Sequence, residues 1–87
     1  MEFKYENERI YSLDENGRLA AEITFPAHGD TAVIDHTFTD PSLRGQGVAD
    51  RLVREALRVI RARGLKPAAT CPYAVKWFEK HPEEIGK

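Results

Sequence analysis

A glycine-rich loop leads from a strand-like run into an amphipathic helix, and its residue types suit one chemistry. The loop consists of Arg44, Gly45, Gln46, Gly47, Val48 and Ala49. Backbone N–H groups at a helix start have no intrahelical acceptor, and they lie at the positive end of the helix dipole. Gly45 and Gly47 accept positive φ, so successive amides can converge, and Arg44 adds a permanently charged guanidinium. The pattern predicts a phosphate-binding site.

Cys71 is the second residue with chemical meaning. It immediately precedes Pro72, and proline is favoured at the first position of a helix. The thiol is therefore predicted to lie near a helix N-terminus, where the thiolate is stabilised and more abundant at neutral pH. The alternative is a small buried hydrophobe with an inert thiol, and the sequence leaves both interpretations open.

His36 and Tyr73 are candidates for moving protons. Period-two alternation places His36 on one strand face with Ile34 and Phe38. A histidine facing a cleft can take a proton from an ammonium or from Cys71, and the alternative is a structural donor to a backbone carbonyl. Tyr73 follows the cysteine by two residues, where it is either a proton donor or a packing residue at the helix start.

The first half of the chain has the pattern of antiparallel strands. Runs at residues 9–13 and 18–25 flank Asn16-Gly17, a strong hairpin signal. Residues 26–30 predict a second turn, and residues 31–38 predict a third strand rich in β-branched and aromatic side chains. We expect an antiparallel meander.

The second half begins with a helical period. Its apolar stripe consists of Val48, Ala49, Leu52, Val53, Ala56, Leu57, Val59 and Ile60. Gly64 is placed to end this helix, and residues 65–70 predict a strand, which together imply a parallel, right-handed crossover. A short helix is predicted over residues 72–80, stopped by His81 and Pro82.

Length and composition limit the classes of protein. We expect residues 1–87 to form a single domain with one modest core. The 13 Lys and Arg are balanced by 14 Asp and Glu, which favours neither nucleic acid nor a membrane as partner. The single cysteine cannot form an internal disulfide, no Cys/His cluster has metal-ligand spacing, and no signal or membrane segment is evident. These features predict a cytoplasmic protein without a metal site.

The glycine-rich loop resembles the pyrophosphate-binding signature of the GNAT acetyltransferase superfamily, in which Gln or Arg is followed at fixed spacing by Gly and then Gly or Ala. The Asp40-Pro41 turn before the loop and Leu52 after it extend the match. The tail over residues 70–83 narrows the resemblance to a group of very short, cysteine-bearing GNAT-like proteins. Together with His36-Thr37, the similarity covers roughly residues 10–84.

This resemblance implies an α/β (α+β) fold: a twisted mixed sheet made of an antiparallel meander, a β-α-β crossover and a short C-terminal helix. It also implies acetyl transfer from acetyl-CoA to an amine. In that family two strands splay apart, here residues 31–39 and 65–70, and the pantetheine arm of CoA follows the exposed strand edge. The implied CoA-binding residues are Phe38, Thr39, Arg44, Gly45, Gln46, Gly47, Val48 and Ala49.

The resemblance also suggests roles for the three candidate catalytic residues. His36 would serve as the base, and Tyr73 would protonate the departing CoA thiolate. Cys71 lies near the acyl site, and in a covalent route it would receive the acetyl group and pass it on. Direct transfer and the covalent route both remain open.

The chain departs from larger GNAT domains in one respect. Those domains place additional helices between their first strands, whereas this chain has short turns there. We therefore expect an open acceptor site that suits a small amine or a protein lysine or N-terminus, in a monomer or weak homodimer. The alternatives are a non-catalytic module that binds CoA or acyl-CoA, and an interaction domain whose glycine loop is structural.

Overall fold

Two β-sheets and three helices make up the computed structural model, which describes residues 1–85. In chain order the elements are β1 (Lys4–Glu6), β2 (Arg9–Leu13), β3 (Leu19–Thr24), β4 (Ala27–His28), β5 (Thr31–Ile34), β6 (His36–Thr39), a 3₁₀ turn (Pro41–Leu43), α1 (Val48–Ala62), β7 (Lys66–Ala69), α2 (Pro72–Lys80) and α3 (Pro82–Ile85). This mixture of strands and helices is the predicted α+β class.

The larger sheet is antiparallel and has the strand order β1-β2-β3-β6. The Asp14 carboxylate accepts hydrogen bonds from the backbone N–H groups of Asn16 and Arg18, which holds the turn between β2 and β3. On the core face, Ile10 lies opposite Ile23, and both are fully buried. The predicted hairpin is confirmed. β1 was not predicted, because all of its residues are exposed and show no apolar pattern.

The smaller sheet has the order β4-β5-β7. β5 and β7 run parallel, with Val33 opposite Ala68. Between these two strands the chain forms β6 of the larger sheet and then α1. The parallel crossover is thus confirmed. Ala27 and His28, predicted as part of a turn, instead pair with β5 as a two-residue strand.

The strand predicted over residues 31–38 is divided at Asp35. β5 pairs with β7, whereas β6 pairs with β3, so one extended segment contributes to both sheets. Asp35 and His36 are both exposed, although regular alternation would turn one of them toward the core. An irregularity at Asp35 therefore shifts the alternation of side chains between β5 and β6.

The first long helix begins at Val48, as predicted, and packs on β3, β6 and β7. Its buried residues are Val48, Leu52, Val53, Ala56, Leu57 and Ile60. The helix ends at Ala62, two residues before the glycine predicted to end it, Gly64. The Leu65 N–H, just after this glycine, donates back to the Ile60 carbonyl at 3.1 Å. The apolar stripe of α1 thus covers the core side of both sheets.

The second helix has the predicted bounds, Pro72–Lys80, and buries Ala74 and Trp77 against the core. The predicted stop at His81 and Pro82 is confirmed, because α2 ends at Lys80 with His81 as its C-cap. The short helix α3 that begins at Pro82 was not predicted; proline fits the first turn of a new helix as well as it interrupts an old one.

Residues 1–85 contain no helix that is both long enough and apolar enough to cross a membrane. The same residues contain no cluster of His, Cys, Asp and Glu side chains arranged to hold a metal ion.

Candidate functional site

The two sheets separate where β5 passes into β6. The backbone N–H groups of Thr70 and Cys71 both donate to the Ile34 carbonyl, at 3.0 and 3.2 Å. Beyond this point β6 pairs with β3, while the chain leaving β7 turns into α2. A cleft therefore opens between β6 and the start of α2.

β6 pairs with β3 along one edge, and its other edge faces this cleft. The Asp40 N–H donates to the Ala20 carbonyl of β3 at 2.8 Å. Because hydrogen bonds alternate along an antiparallel pair, Phe38 bonds toward β3, and the backbone groups of Thr37 and Thr39 point the other way. Within residues 1–85, this strand edge is therefore without a backbone partner at Thr39, whereas the Thr37 N–H donates to Cys71 Sγ.

A pocket of about 220 Å³ lies where this edge meets the glycine-rich loop. Its lining residues are Thr39, Leu43, Arg44, Gly45, Gly47, Val48, Ala49, Asp50 and Tyr73. Most of the predicted CoA-binding residues therefore surround one cavity. Phe38 and Gln46 are not in its wall; the Gln46 amide donates instead to the Ser42 carbonyl at 3.4 Å.

The loop has the backbone conformation that its glycines allow. Gly45 has a φ of 82° and Gly47 a φ of 74°, both in the left-handed region. A Cβ added at either residue would meet no atom within 4 Å, so backbone conformation rather than crowding requires glycine. Gly47 is the N-cap of α1, and no side chain caps the first turn. Its amides border the pocket and are available to an anion.

Arg44 lies in the pocket wall and is exposed. Within residues 1–85 its guanidinium forms no ion pair within 4.0 Å. Asp50 is the other charged residue in the wall. Burial raises the pKa of its carboxyl group, but hydrogen bonds from the Trp77 indole (2.6 Å) and Arg54 (2.9 Å) outweigh the effect of burial, and the pKa is lowered. The charge of Arg54 offsets that of this carboxylate, and Arg44, whose charge also lowers the pKa of Asp40, is the remaining charged residue of the wall.

Cys71 is the N-cap of α2 and is 8% exposed. Its Sγ lies 3.4 Å from the Thr37 hydroxyl of β6, on the far side of the cleft. Burial raises the pKa of the thiol, but hydrogen bonds from the Thr37 hydroxyl and from backbone N–H groups of Ala74, Tyr73 and Thr37 outweigh burial, and the pKa is lowered. The predicted position at a helix start is confirmed, and the thiol is buried there.

We expect Thr37→Val to move the titration of Cys71 to higher pH, because the variant loses the hydroxyl that stabilises the thiolate. The thiolate fraction at neutral pH should fall severalfold, the size expected when a hydrogen bond contributing about 1 kcal/mol is lost. Ultraviolet absorbance of the thiolate against pH measures this, with Cys71→Ala as the blank. Thr39→Val, two residues along the same strand, is the matched control; an equal shift in both variants would contradict the assignment.

His36 lies on the other face of the sheet. Its side chain is half exposed, and Nε2 is 3.1 Å from Glu22 Oε1 of β3. The expectation that His36 shares a face with Ile34 is wrong, because the irregularity at Asp35 shifts the alternation. Neighbouring residues of a strand face opposite sides, so Thr37 meets Cys71 and His36 does not. The role of His36 as a base stays a prediction.

Tyr73 belongs to the pocket wall and is 39% exposed. Burial and the nearby charge of Asp50 raise the pKa of its phenol, so Tyr73 holds its proton at neutral pH. The structure thus brings Tyr73 to the glycine-rich loop. Cys71, two residues earlier, is buried against Thr37 of β6 and is not in the pocket wall.

Thr37 and Asp50 were not predicted as site residues. Thr37 belongs to the His36-Thr37 pair of the resemblance, but its contact with Cys71 joins residues 34 positions apart and has no local pattern. For Asp50 the sequence offered a weak signal, since the residue lies in the first turn of α1 and pairs with Arg54 at i,i+4. Its bond to Trp77 spans 27 positions and depends on how the two helices pack.

A sheet in two parts, a strand edge at Thr39 and a helix start without a side-chain cap meet at one pocket of this small α+β domain. The model of the GCN5-related N-acetyl-transferase family matches residues 9–86. The chain belongs to this family.

Individual relatives agree with this assignment. The chain is 35% identical to the putative phosphinothricin acetyltransferase YwnH of Bacillus subtilis (strain 168), over 78% of this chain and 48% of the relative. The chain thus spans about half the length of that curated relative. A GCN5-like putative N-acetyltransferase from Staphylococcus aureus, solved by NMR, is 31% identical with a TM-score of 0.78, covering 95% of this chain and 82% of that one.

A third comparison concerns the fold alone. The aminoglycoside N-acetyltransferase AAC(6')-Iy, solved in complex with CoA, is 18% identical and has a TM-score of 0.56. The match covers 87% of this chain and 64% of that one. The fold described here is therefore shared with an enzyme whose structure holds CoA.

Proposed function

We propose that this protein is an N-acetyltransferase that moves an acetyl group from acetyl-CoA to an amine. One observation carries the proposal: the uncapped start of α1, the left-handed glycines and the free guanidinium of Arg44 surround a single pocket at the free edge of β6. Family membership supports the reaction class. The diphosphate and the pantetheine arm of acetyl-CoA each have proposed partners among these residues.

The diphosphate of CoA would be held by the amides of Val48 and Ala49 together with Arg44. These groups border the pocket and have no competing partner among residues 1–85. The amide-bearing pantetheine arm would pair with the edge of β6 at Thr39 as an added strand does. This path would bring the thioester end toward Cys71 and the start of α2.

Bound acetyl-CoA would supply an activated acetyl thioester, and the chain supplies the remaining chemistry. A backbone N–H of the β6 edge can stabilise negative charge that develops on the carbonyl oxygen. Tyr73 keeps a proton at neutral pH and can give it to the leaving thiolate. The proton of the attacking amine passes to solvent, since the structure holds His36, the predicted base, on the other face of the sheet, 3.1 Å from Glu22.

A covalent route is the second possibility within this reaction. The thiolate of Cys71 would attack the thioester carbonyl, the carbon–sulfur bond to CoA would break, and CoA would leave with a proton from Tyr73. An amine would then attack the acetylated cysteine, form the amide and release the Cys71 thiolate, and the proton lost by the amine would restore the Tyr73 phenol. The lowered pKa of Cys71 and its donors at the start of α2 support this route.

Intact-mass spectrometry separates the two routes. The protein is incubated with acetyl-CoA without an acceptor, and the covalent route is supported if one acetyl group appears in the wild type and is absent from Cys71→Ala. Direct transfer is supported if Cys71→Ala still acetylates an added amine. Phosphinothricin, the compound named in the Bacillus subtilis relative, and lysine-containing peptides are suitable acceptors.

We expect Tyr73→Phe to lower turnover by about a hundredfold, the lower end of what a positioned acid contributes. The affinity for CoA should change by less than about threefold, because the ring that lines the pocket is kept. Steady-state kinetics of CoA release measures this, with Tyr11→Phe as the control, since Tyr11 lies under Arg9 away from the cleft. Unchanged turnover in Tyr73→Phe would remove Tyr73 from the reaction.

A non-catalytic module that binds CoA is the second candidate function. The separation of His36 from Cys71 by the sheet favours it, since the two groups do not form one catalytic pair. This candidate requires saturable CoA binding with neither acetylated product nor acetylated cysteine.

A further inference from the structure

A second pocket, of about 230 Å³, lies beside the first on the outer face of α2. Its lining residues are Asp50, Tyr73, Lys76, Trp77, Lys80 and His81. Asp50 and Tyr73 also line the first pocket, so the two cavities adjoin at these side chains. A ligand that fills the first pocket can extend into the second without crossing the core.

The second pocket has an unbalanced positive charge. Lys76 and Lys80 lie one helix turn apart on α2, both are exposed, and neither forms an ion pair within residues 1–85. The acidic side chain in the wall, Asp50, is already bound to Arg54 and to the Trp77 indole. Two ammonium groups at the rim of a cavity favour a phosphate monoester, which carries close to two negative charges at neutral pH.

The other face of α1 is a poorer candidate for the same ligand. A larger pocket there is lined by Met1, Phe3, Tyr5, Arg51, Arg54 and Glu55, and it shares no residue with the first pocket. Its charges are already engaged: Arg54 pairs with Asp50 and Glu84, and Arg51 lies over the Phe3 ring. The α2 side is therefore where a bound phosphate finds free cations next to the loop.

We infer that Lys76 and Lys80 form a subsite for the 3′-phosphate on the nucleoside end of CoA, so that the protein distinguishes CoA from dephospho-CoA. This inference rests on the proposed function. With the diphosphate at the start of α1 and the pantetheine arm along β6, the nucleoside must leave the first pocket on its remaining side. The shared wall at Tyr73 and Asp50 leads to the two lysines.

Titration calorimetry with CoA and dephospho-CoA tests the inference. The wild type should bind CoA about tenfold more tightly than dephospho-CoA. The double variant Lys76→Ala, Lys80→Ala should lose about tenfold in affinity for CoA and keep its affinity for dephospho-CoA, which abolishes the discrimination. A double variant of the same charge change, Lys4→Ala with Lys66→Ala, should behave as the wild type, since neither residue lines either of the two adjoining pockets.

The possible failures are distinguishable. Equal binding of CoA and dephospho-CoA by the wild type, or equal weakening of both in the α2 variant, would overturn the subsite and leave the proposed function standing. Absence of binding of either compound to the wild type would overturn the proposed function and the subsite together. Circular dichroism of each variant verifies that the exposed substitutions preserve the fold.

Discussion

Gly47→Val lowers the affinity for CoA by more than about a hundredfold. Gly47 has a φ of 74° and is the N-cap of α1, so a β-branched residue there forces the loop out of its left-handed conformation. At least two amide hydrogen bonds to the diphosphate are then lost or misdirected, each contributing about 1.5–3 kcal/mol when the partner is charged. Together they correspond to a change of two decades or more in the dissociation constant. Titration calorimetry measures it.

Gly29→Val is the matched control for backbone strain. Gly29 has a φ of 63° in the turn between β4 and β5, and, as at Gly47, an added Cβ meets no atom within 4 Å. Both variants should therefore lose similar stability, about 1–2 kcal/mol for a left-handed position. CoA affinity should fall in the Gly47 variant alone. Equal affinities in the two variants would show that the loop does not hold the diphosphate.

Trp77→Ala is expected to lower the free energy of unfolding by about 3–5 kcal/mol, the range for truncating a large buried aromatic residue. Trp77 is 4% exposed, packs within the core and stacks on His81 with ring centroids 4.0 Å apart. Its indole also donates to Asp50, which ties α2 to the start of α1. Urea unfolding followed by circular dichroism measures the loss, which is a large part of the stability typical of a small domain.

Trp77→Phe separates packing from the hydrogen bond. It keeps most of the apolar volume and removes the donor to Asp50, so we expect a loss of about 1 kcal/mol, discounted because that carboxylate is partly exposed. The donor helps to lower the pKa of Asp50, so its stabilisation is present above the ordinary pKa of an aspartate and fades as the pH falls. The difference between wild type and Trp77→Phe should therefore shrink in acid. A difference that grows in acid would contradict this account.

Local patterns were sufficient for the elements whose boundaries depend on neighbouring residues. The hairpin turn, the start of α1, its end before Gly64 and the bounds Pro72–Lys80 all follow from periodicity and from turn or cap residues. The glycine-rich loop could be assigned from the same kind of evidence. Its conformation and its place at the end of a strand are properties of about six consecutive residues.

Contacts between distant segments could not be predicted in this way. The division at Asp35 depends on β5 pairing with β7 while β6 pairs with β3, and the run of residues 31–38 shows no local interruption. That division decides that Thr37, and not His36, faces Cys71. One residue of offset in a strand exchanges the two faces, so an error in local geometry became an error in the candidate site.

The central claim is that the pocket between α1 and β6 binds CoA through its diphosphate. Calorimetric titration of the wild-type protein with CoA tests it most directly. We expect a saturable, one-to-one binding heat, and a free energy of unfolding raised by about 2.7 kcal/mol when CoA is present at 100 times its dissociation constant. A titration without binding heat, together with unfolding unchanged by CoA, would contradict the claim.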